Sequence, residues 1–449
     1  MKQGKIHLIG LDLGTSAIKG ILIDEQGRTV AQAHRTTDLL RPRDGWVEVD
    51  PENHYRRVCE VLRELSNAAP GEVCAFSMAA ASGNTLLTDE SGEPLTNIIN
   101  WMDRRAELEP LPALEEFDQA DVIRVTGWPC VTTFPLAHLA WLRANRPEIY
   151  ARAGHIGMDT DWLTYRLTGQ WVMDRSTAAT FHLQEQTAGT YHLPFLNRLG
   201  VPTEKLSTLV DSGAAVGSLT GRAAADTGLS ASTVLVAGCF DHPAAARAVG
   251  VLAPGQMILS CGTSWVGFTP CADRDRILDA GMLCDPFLSA NGGAWGGIFS
   301  VPYIGQNIDW YIRNVIAPGE PHPMQVFDDS AAESEPGAGG LVIDLTRPPM
   351  RVEADRKHVS RAVMEGAVRL LNEKIVGMRD WGFRCESAVM VGGPADSRVW
   401  PRIVEQITGM TVTAQGRSAG AKGAAMLAGI GVGIYADEHH ALAAWNDAP

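Results

Sequence analysis

Two short segments of this chain contain the residue types that bind phosphate. They are Gly14, Thr15 and Ser16 in the first half and Gly262, Thr263 and Ser264 in the second. Glycine lets a backbone approach a phosphate closely, and amide and hydroxyl groups bind the phosphate oxygens. Asp12, which precedes the first segment, would repel a bare phosphate, so the pattern predicts a divalent cation between the two. Lys19 is a candidate source of further positive charge.

The residues around the first segment predict a strand, a tight turn and a returning strand. Residues 6–10 and 18–24 supply the two apolar strands. A dinucleotide-binding fold or a P-loop has a helix directly after its glycines, so both are excluded. The alternative is a plain hairpin in which Asp12 caps its own turn. The second segment repeats the same hairpin, which favours phosphate binding and predicts two similar halves with a boundary near 235–245.

Asp241 is the strongest candidate for acid–base chemistry. It directly follows an apolar strand over residues 234–238 and precedes a run of small residues that predicts a helix. A carboxylate in that position can accept a proton from a substrate hydroxyl. An ordinary helix N-cap is the alternative interpretation. His242 is either a substrate contact or a structural histidine.

Two tryptophans lie among polar residues that suit a polyhydroxylated ligand. Trp46 lies in the run Gly-Trp-Val-Glu-Val-Asp, and Trp101 is followed by Met102, Asp103 and two arginines. A packed tryptophan beside a surface ion pair is an equally good interpretation of each run.

Later in the chain, a strand, a glycine turn and a helix follow one another. The strand covers 388–391, the turn is Gly392, Gly393 and Pro394, and the helix runs from about Ser397 to Thr408. A nucleotide can approach the backbone closely at such a turn. Two other helix starts are predicted, one capped by Asp50 with Pro51 at its first position and one capped at Ser360.

Composition excludes several classes of protein. The chain has 449 residues, a net charge of −14 and 45% hydrophobic residues, which is typical of a globular protein of two or three domains. The acidic charge argues against nucleic-acid and anionic-membrane partners. The eight cysteines form no C-x-x-C pair and are expected to be reduced thiols. No apolar stretch is long enough to span a membrane, and a cytoplasmic location is expected.

Taken together, these motifs resemble the FGGY carbohydrate kinases, a family within the fold shared by actin, hexokinase and heat-shock chaperone ATPases. The resemblance covers nearly the whole chain, in the right order. It includes the first phosphate segment 10–20, the G-W-x-E-x-D-P run 45–51, the W-x-D-x-R run 101–105 and the Y-x-L-T-G run 165–169. The second phosphate segment 261–264, the adenosine motif 391–393 and the closing helix 421–435 complete it.

The resemblance implies an α/β fold with two actin-like (ribonuclease H-like) domains, mixed central sheets and a cleft between them. An N-terminal domain over 1–237 would hold the substrate and the first phosphate motif. A C-terminal domain over 238–449 would hold the catalytic base and the second phosphate and adenosine motifs. A homodimer is also what the resemblance suggests.

The resemblance further implies an ATP-dependent sugar kinase that uses Mg²⁺. Asp241 would be the catalytic base, and Asp12 would help to place the metal. The ATP contacts would be Asp12, Gly14, Thr15, Ser16, Lys19, Gly262, Thr263, Gly305, Gly392, Gly393 and Ser397. The carbohydrate contacts would be Trp46, Ser82, Gly83, Asn84, Trp101, Asp103 and His242.

The chain also departs from the family pattern. Pro394 stands where a third small residue is common, His138 stands where a lysine is common, and the substrate loop 79–85 lacks the usual G-Q run. The acceptor is therefore open among ketoses, polyols and sugar acids. An ATP-binding assembly protein without sugar phosphorylation is the alternative function. A sugar-sensing repressor is disfavoured because the first phosphate strand begins at Ile6 and leaves no room for a DNA-binding helix pair.

Overall fold

A computed structural model describes residues 6–108, 110–416 and 418–446. Its strands, in chain order, are β1 (Ile6–Leu13), β2 (Ala17–Asp24), β3 (Thr29–Thr36), β4 (Leu39–Leu40), β5 (Glu48–Val49), β6 (Glu72–Ala80), β7 (Leu86–Thr88), β8 (Ile98–Ile99), β9 (His155–Gly157), β10 (Val172–Asp174), β11 (Gln184–Glu185), β12 (Thr190–Tyr191), β13 (Thr208–Val210), β14 (Ala215–Ser218), β15 (Val234–Phe240), β16 (Gln256–Cys261), β17 (Trp265–Cys271), β18 (Leu283–Asp285), β19 (Trp295–Val301), β20 (Ser387–Gly392) and β21 (Thr411–Ala414).

The helices alternate with these strands over most of the chain. They are α1 (Pro51–Ala68), α2 (Pro112–Glu115), α3 (Gln119–Thr126), α4 (Pro135–Asn145), α5 (Pro147–Arg152), α6 (Asp159–Thr168), α7 (Arg175–Phe181), α8 (Leu193–Leu199), α9 (Gly221–Thr227), α10 (Asp241–Ala248), α11 (Arg274–Asp279), α12 (Ile304–Tyr311), α13 (Pro323–Ala332), α14 (Arg356–Arg379), α15 (Trp400–Thr408), α16 (Ala419–Gly431) and α17 (Glu438–Asn446).

The chain divides into two compact units. Unit 1 contains the residues up to 250, the segment 283–293 and the residues from 420 onward, and unit 2 contains 251–282 and 294–419. The boundary predicted at 237/238 divides the chain by functional role and stays a prediction. The compact units follow packing instead, and they place 238–250 and the C-terminal helices in unit 1.

Each unit is built on a mixed sheet with the same order of strand directions. In unit 1 five of the six strands have the order β3-β2-β1-β6-β15, with antiparallel pairing up to β1 and parallel pairing beyond it, and β14 is added antiparallel to β15 at the edge. In unit 2 the order β19-β17-β16-β20-β21 repeats that pattern. The predicted hairpin repeat and the mixed α/β fold class are confirmed.

Local sequence signals account for most helix starts. Asp50 caps α1 by accepting the Asn53 N–H at 2.7 Å, and Pro51 is the first helical residue, as predicted. The start predicted at Ser360 is wrong. α14 begins four residues earlier, where the Asp355 carboxylate accepts the Lys357 N–H, and Ser360 is fully buried within the helix.

The residues that pack against the sheets are the apolar positions of the predicted elements. Val58, Leu62 and Leu65 of α1 pack with β1 and β2 in one core cluster of unit 1. All eight cysteines are free thiols, as expected. Among the described residues, every helix is too short or too polar to cross a lipid bilayer.

Candidate active site

Strand register brings the two candidate carboxylates to one edge of the sheet in unit 1. Asp12 of β1 and Cys239 of β15 are both level with Ala79 of β6, which lies between them. These three strands are parallel, so their carboxyl ends meet at the same edge, where ligands of open α/β sheets bind. Asp241 follows Cys239 by two residues and therefore lies beside Asp12.

The surroundings of Asp12 suit a bound cation. Its side chain is only 16% exposed, and Lys19 Nζ lies 3.9 Å from Asp12 Oδ2. Burial, and then the negative charge of Asp241, raise the pKa of Asp12 to about 6, and Lys19 opposes that rise. Among the described residues no group of three His, Cys, Asp or Glu side chains could hold a metal. A cation at Asp12 would therefore take its other ligands from phosphate or water.

Asp241 is not an N-cap. It is the first residue of α10, and Phe240 occupies the N-cap position. Within the described residues, Asp241 Oδ1 is buried without a hydrogen-bond partner, and His242 Nε2 lies 3.7 Å from it. A buried carboxylate oxygen without a partner is costly. This arrangement therefore favours a functional role for the carboxylate over a capping role.

In unit 2, the predicted phosphate and adenosine glycines surround the end of β16. The Gly305 N–H donates to Thr263 O at 2.9 Å, and a Cβ on Gly305 would lie 2.2 Å from Gly262 O. Gly392 has φ +95°, and a Cβ there would lie 2.4 Å from Cys261 O. Only glycine fits these two close approaches. Gly393 has open space beside its α-carbon.

Ser397 has a structural role in unit 2. Its hydroxyl accepts the backbone N–H groups of Val399 and Trp400 at 3.0 and 3.2 Å. These bonds order the turn that enters α15, which begins three residues later than the sequence predicted. The contact between Ser397 and adenosine stays a prediction.

Trp101 connects the predicted sugar site to the first phosphate hairpin. Its ring Nε1–H donates to Thr15 Oγ1 at 2.9 Å, and its backbone N–H donates to Asn84 Oδ1 at 3.0 Å. Trp101 is only partly buried, so a ligand can reach part of it.

The loop predicted to contact the sugar is buried in unit 1. The Ser82 hydroxyl donates to Ala80 O at 3.3 Å, and Gly83 lies against the ring of Phe134. Asn84 Nδ2–H donates to Asp159 Oδ2 at 3.0 Å. Both functional groups of the Asn84 amide are therefore engaged, one by Asp159 and the other by Trp101. This geometry favours a supporting role for the loop.

Asp103 and Trp46 are likewise engaged in internal contacts. The buried Asp103 carboxylate accepts the Val47 N–H and pairs with Arg105 at 2.8 Å. The Arg105 guanidinium lies 3.8 Å from the centre of the Trp46 ring, and Trp141 packs edge-on against that ring. The packed tryptophan of the alternative interpretation matches this arrangement, but the ion pair is buried rather than at the surface.

A row of three aromatic residues that ends at Phe240, the neighbour of Asp241 in the chain, was missed from the sequence. The ring of Trp128 lies 5.8 Å from the rings of Phe134 and Phe240, and Phe240 lies 5.2 Å from His242. Phe240 was identifiable as the residue before Asp241, but Trp128 and Phe134 carry no motif. Only the folded chain brings them to this site.

His138, which replaces the usual lysine, is buried and uncharged. Its Nδ1 lies 2.9 Å from Thr85 Oγ1, and burial lowers its pKa to about 3. The residue supports the buried loop by a hydrogen bond and brings no positive charge to the site.

Comparison with known proteins decides the family. Residues 7–248, more than half of the chain, match the N-terminal domain of the FGGY family of carbohydrate kinases. The chain belongs to this family. The xylulose kinase of Bacillus subtilis strain 168 is 28% identical over 453 residues, which cover 96% of this chain and 89% of that protein. The autoinducer-2 kinase of Escherichia coli K12 is 26% identical, covering 97% and 88%.

Solved structures of FGGY kinases agree with the fold. The xylulose kinase of Rhodospirillum rubrum matches with a TM-score of 0.84 and 25% identity, covering 95% of this chain and 90% of that one. The gluconate kinase of Lactobacillus acidophilus matches with a TM-score of 0.86 at 21% identity, covering 97% and 91%. The prediction of an α/β fold with two actin-like domains is confirmed.

The family assignment also gives the general activity. The protein is a carbohydrate kinase, an enzyme that takes phosphate from ATP and transfers it to a small carbohydrate. The assignment favours the predicted kinase over the ATP-binding assembly protein.

Proposed function

We propose that this FGGY kinase transfers the γ-phosphate of ATP to a hydroxyl of a ketose, polyol or related carbohydrate, with Asp241 as general base. The observation that carries this proposal is the position of Asp241 at the sheet edge beside Asp12. Its Oδ1 is buried without a hydrogen-bond partner among the described residues. A carboxylate in that state is suited to accept the proton of a substrate hydroxyl.

The charge around Asp12 supports a role in placing Mg²⁺. Its raised pKa reflects burial and the neighbouring Asp241, and a bound cation would relieve both effects. When bound, Mg²⁺ supplies neutralisation of the phosphate charge. Asp12 is the residue proposed to hold it, and Lys19 is placed to add a second positive charge on the same side.

The chain's own part in the reaction is positioning and proton acceptance. Asp241 would accept the hydroxyl proton as the sugar oxygen bonds to the γ-phosphorus and the bond to the β-phosphate oxygen breaks, leaving ADP. The first hairpin would contribute Gly14, Thr15 and Ser16 to the phosphates. Trp101, held to Thr15, would place the sugar against the aromatic side chains next to Asp241.

The remaining ATP contacts in this proposal are those that the resemblance to the family implies. Gly262, Thr263 and Gly305 would bind phosphate through backbone amides, and Gly392 and Gly393 would lie against adenosine. Pro394 has no N–H, so it would offer adenosine no backbone hydrogen bond. Gly393 has open space beside its α-carbon, which suits the approach of a ligand.

The sugar itself is best sought among the substrate types of related kinases. Trp101 and His242 are the proposed direct contacts, because both are partly exposed, His242 beside Asp241 and Trp101 bonded to Thr15 of the first hairpin. The other predicted contacts would act through these two residues, because their own polar groups or rings already have internal partners. They are Trp46, Ser82, Gly83, Asn84 and Asp103. The similar proteins named above are kinases of xylulose, autoinducer-2 and gluconate, and xylulose, named for two of them, makes a ketose the first candidate.

The direct test is ADP release from Mg·ATP across a panel of ketoses, polyols, aldoses and sugar acids. We expect one class of carbohydrate to raise ADP release far above the rate with water alone. Titration of ATP by calorimetry provides the control that the nucleotide site is intact. ATP binding without any response to the panel would contradict the proposed transfer to these acceptors.

Three further expectations belong with this proposal. We propose a cytoplasmic enzyme without nucleic-acid or membrane partners, in keeping with its net charge of −14. A homodimer is proposed from the family alone. We also propose that the functional roles divide near 237/238. The substrate and first phosphate motifs lie before that point in the sequence, and the catalytic base and the second phosphate and adenosine motifs lie after it.

A further inference from the structure

A buried serine–aspartate pair lies directly behind the proposed base. Ser176 Oγ donates to Asp285 Oδ2 at 2.6 Å and accepts the backbone N–H of Phe240 at 3.1 Å. Ser176 is 1% exposed and Asp285 is fully buried. Phe240 is the last residue of β15, and the next residue is Asp241.

We infer that Ser176 and Asp285 are positioning residues for phosphoryl transfer, because they fix the backbone that carries Asp241. The inference rests on the proposed role of Asp241 as base. A shift of the Phe240 peptide would move the first turn of α10 and the carboxylate at its first position. A misplacement of about 1 Å at a reacting group can cost about 100-fold in rate.

The directions of the two Ser176 hydrogen bonds follow from the chemistry of their partners. The Phe240 N–H can only donate, so the serine oxygen accepts it, and the single serine proton is directed to Asp285 Oδ2. Burial raises the pKa of Asp285 to about 6, and the hydrogen bonds from Ser176 and Phe287 and the charge of Arg247 oppose that rise.

Asp285 is itself held in place. Its Oδ1 accepts the Phe287 N–H at 2.7 Å, and the Phe287 carbonyl accepts Arg247 Nη2–H at 2.9 Å. Arg247 lies near the end of α10 and pairs with Glu438 at 2.9 Å. The segment 283–293 is thus bonded to both ends of α10, through Ser176 at the start and Arg247 at the finish. The helix that carries the base has little freedom to rotate.

Unit 1 contains a second serine–aspartate pair that serves as a matched control. Ser207 Oγ donates to Asp161 Oδ2 at 2.6 Å, and Asp161 Oδ1 accepts the Met158 N–H at 2.7 Å. Ser207 is 1% exposed and Asp161 is fully buried, as in the first pair. The second pair is bonded to His155 and β9 rather than to the strand end that carries Asp241.

The experiment compares Ser176→Ala with Ser207→Ala in the full-length enzyme, using the best carbohydrate of the panel. Both variants lose a buried serine–aspartate bond, so we expect similar losses of thermal stability. Only Ser176→Ala is expected to lower kcat, by about tenfold or more, with the KM values for ATP and sugar changed less than kcat. Ser176→Thr, which keeps the hydroxyl, should recover most of the rate.

Equal kcat for the two alanine variants would overturn the inference. If Ser176→Ala does not fold, Asp285→Asn and Asp161→Asn provide the same comparison, with the same unequal loss of kcat expected. A different result would refute the proposal that Asp241 is the general base. In that case the Asp241→Asn variant would retain turnover. A folded Ser176→Ala variant with full kcat, beside an inactive Asp241→Asn, would refute the positioning role alone.

Discussion

At the scale of single residues, the site depends on two carboxylates, Asp12 and Asp241, that lie close together. Asp12 and Asp241 lie at the carboxyl ends of parallel strands, and the charge of Asp241 contributes to the raised pKa of Asp12. Two like charges placed close together lower the stability of a folded protein, and such pairs are kept where function needs them. The stability of the free enzyme should therefore report on this pair.

We predict that Asp12→Asn stabilises the free enzyme while lowering its activity. The wild-type pKa is about 6 in the folded protein and 3.8 in the unfolded chain, so ionised Asp12 opposes folding above pH 6. The stability gained by the variant is at most about 3 kcal/mol. It should be largest above pH 6 and should shrink as the pH falls from 6 towards 4, as measured by thermal or urea unfolding.

Asp24→Asn is the control of opposite sign. Burial acts to raise the pKa of Asp24, but hydrogen bonds from Arg28 and Gln26 lower it overall. This carboxylate therefore stabilises the fold above its unfolded pKa, and its loss should destabilise the protein at neutral pH. An Asp12→Asn variant that unfolds as easily as Asp24→Asn would contradict the account of the charge pair.

At the scale of elements, hairpins, caps and glycine turns were largely predictable because their signals are local. The β1–β2 hairpin and the start of α1 follow from turn residues and from a proline at the first helical position. The start of α14 was misplaced because Ser360 has the residue type of a cap, yet Asp355 occupies the capping position. Two polar residues five positions apart cannot be ranked as caps without the tertiary packing that buries one of them.

Gly305→Ala should disturb the second phosphate hairpin. Its Cβ would lie 2.2 Å from Gly262 O, so the start of α12 and the hairpin cannot both keep their positions. Such overpacking costs about 1–3 kcal/mol. We expect the KM for ATP to rise about tenfold, which corresponds to about 1.4 kcal/mol of lost binding.

Gly377→Ala is the matched control within unit 2. Gly377 lies in the last turn of α14, and a Cβ there would meet no atom within 4 Å outside the neighbouring backbone of its own helix. This variant should keep the wild-type KM for ATP and gain up to about 1 kcal/mol of stability. Identical KM values for ATP in the two alanine variants would show that the close contact between Gly305 and the Gly262 carbonyl has no role in nucleotide binding.

At the scale of the whole molecule, two units share one order of strands, and this was predictable from the repeated hairpin. The sequence also identified Asp12 and Asp241, because Asp12 lies near the end of one buried strand and Asp241 directly follows another. It did not identify Ser176 with Asp285, which are 109 positions apart. It also assigned Asn84 and Asp103 to the sugar, because a sequence does not show that a polar side chain already has internal partners.

The central claim is that Asp241 accepts the proton of the sugar hydroxyl, and one measurement tests it most directly. This is kcat for sugar-dependent ADP release by Asp241→Asn, with the affinity for ATP measured by calorimetry on the same sample. Asp121→Asn, at an exposed position of α3, is the control and should keep the wild-type rate. We predict a loss of about 10²–10⁴-fold in kcat for Asp241→Asn with ATP affinity retained. A folded Asp241→Asn enzyme with wild-type kcat would contradict the account.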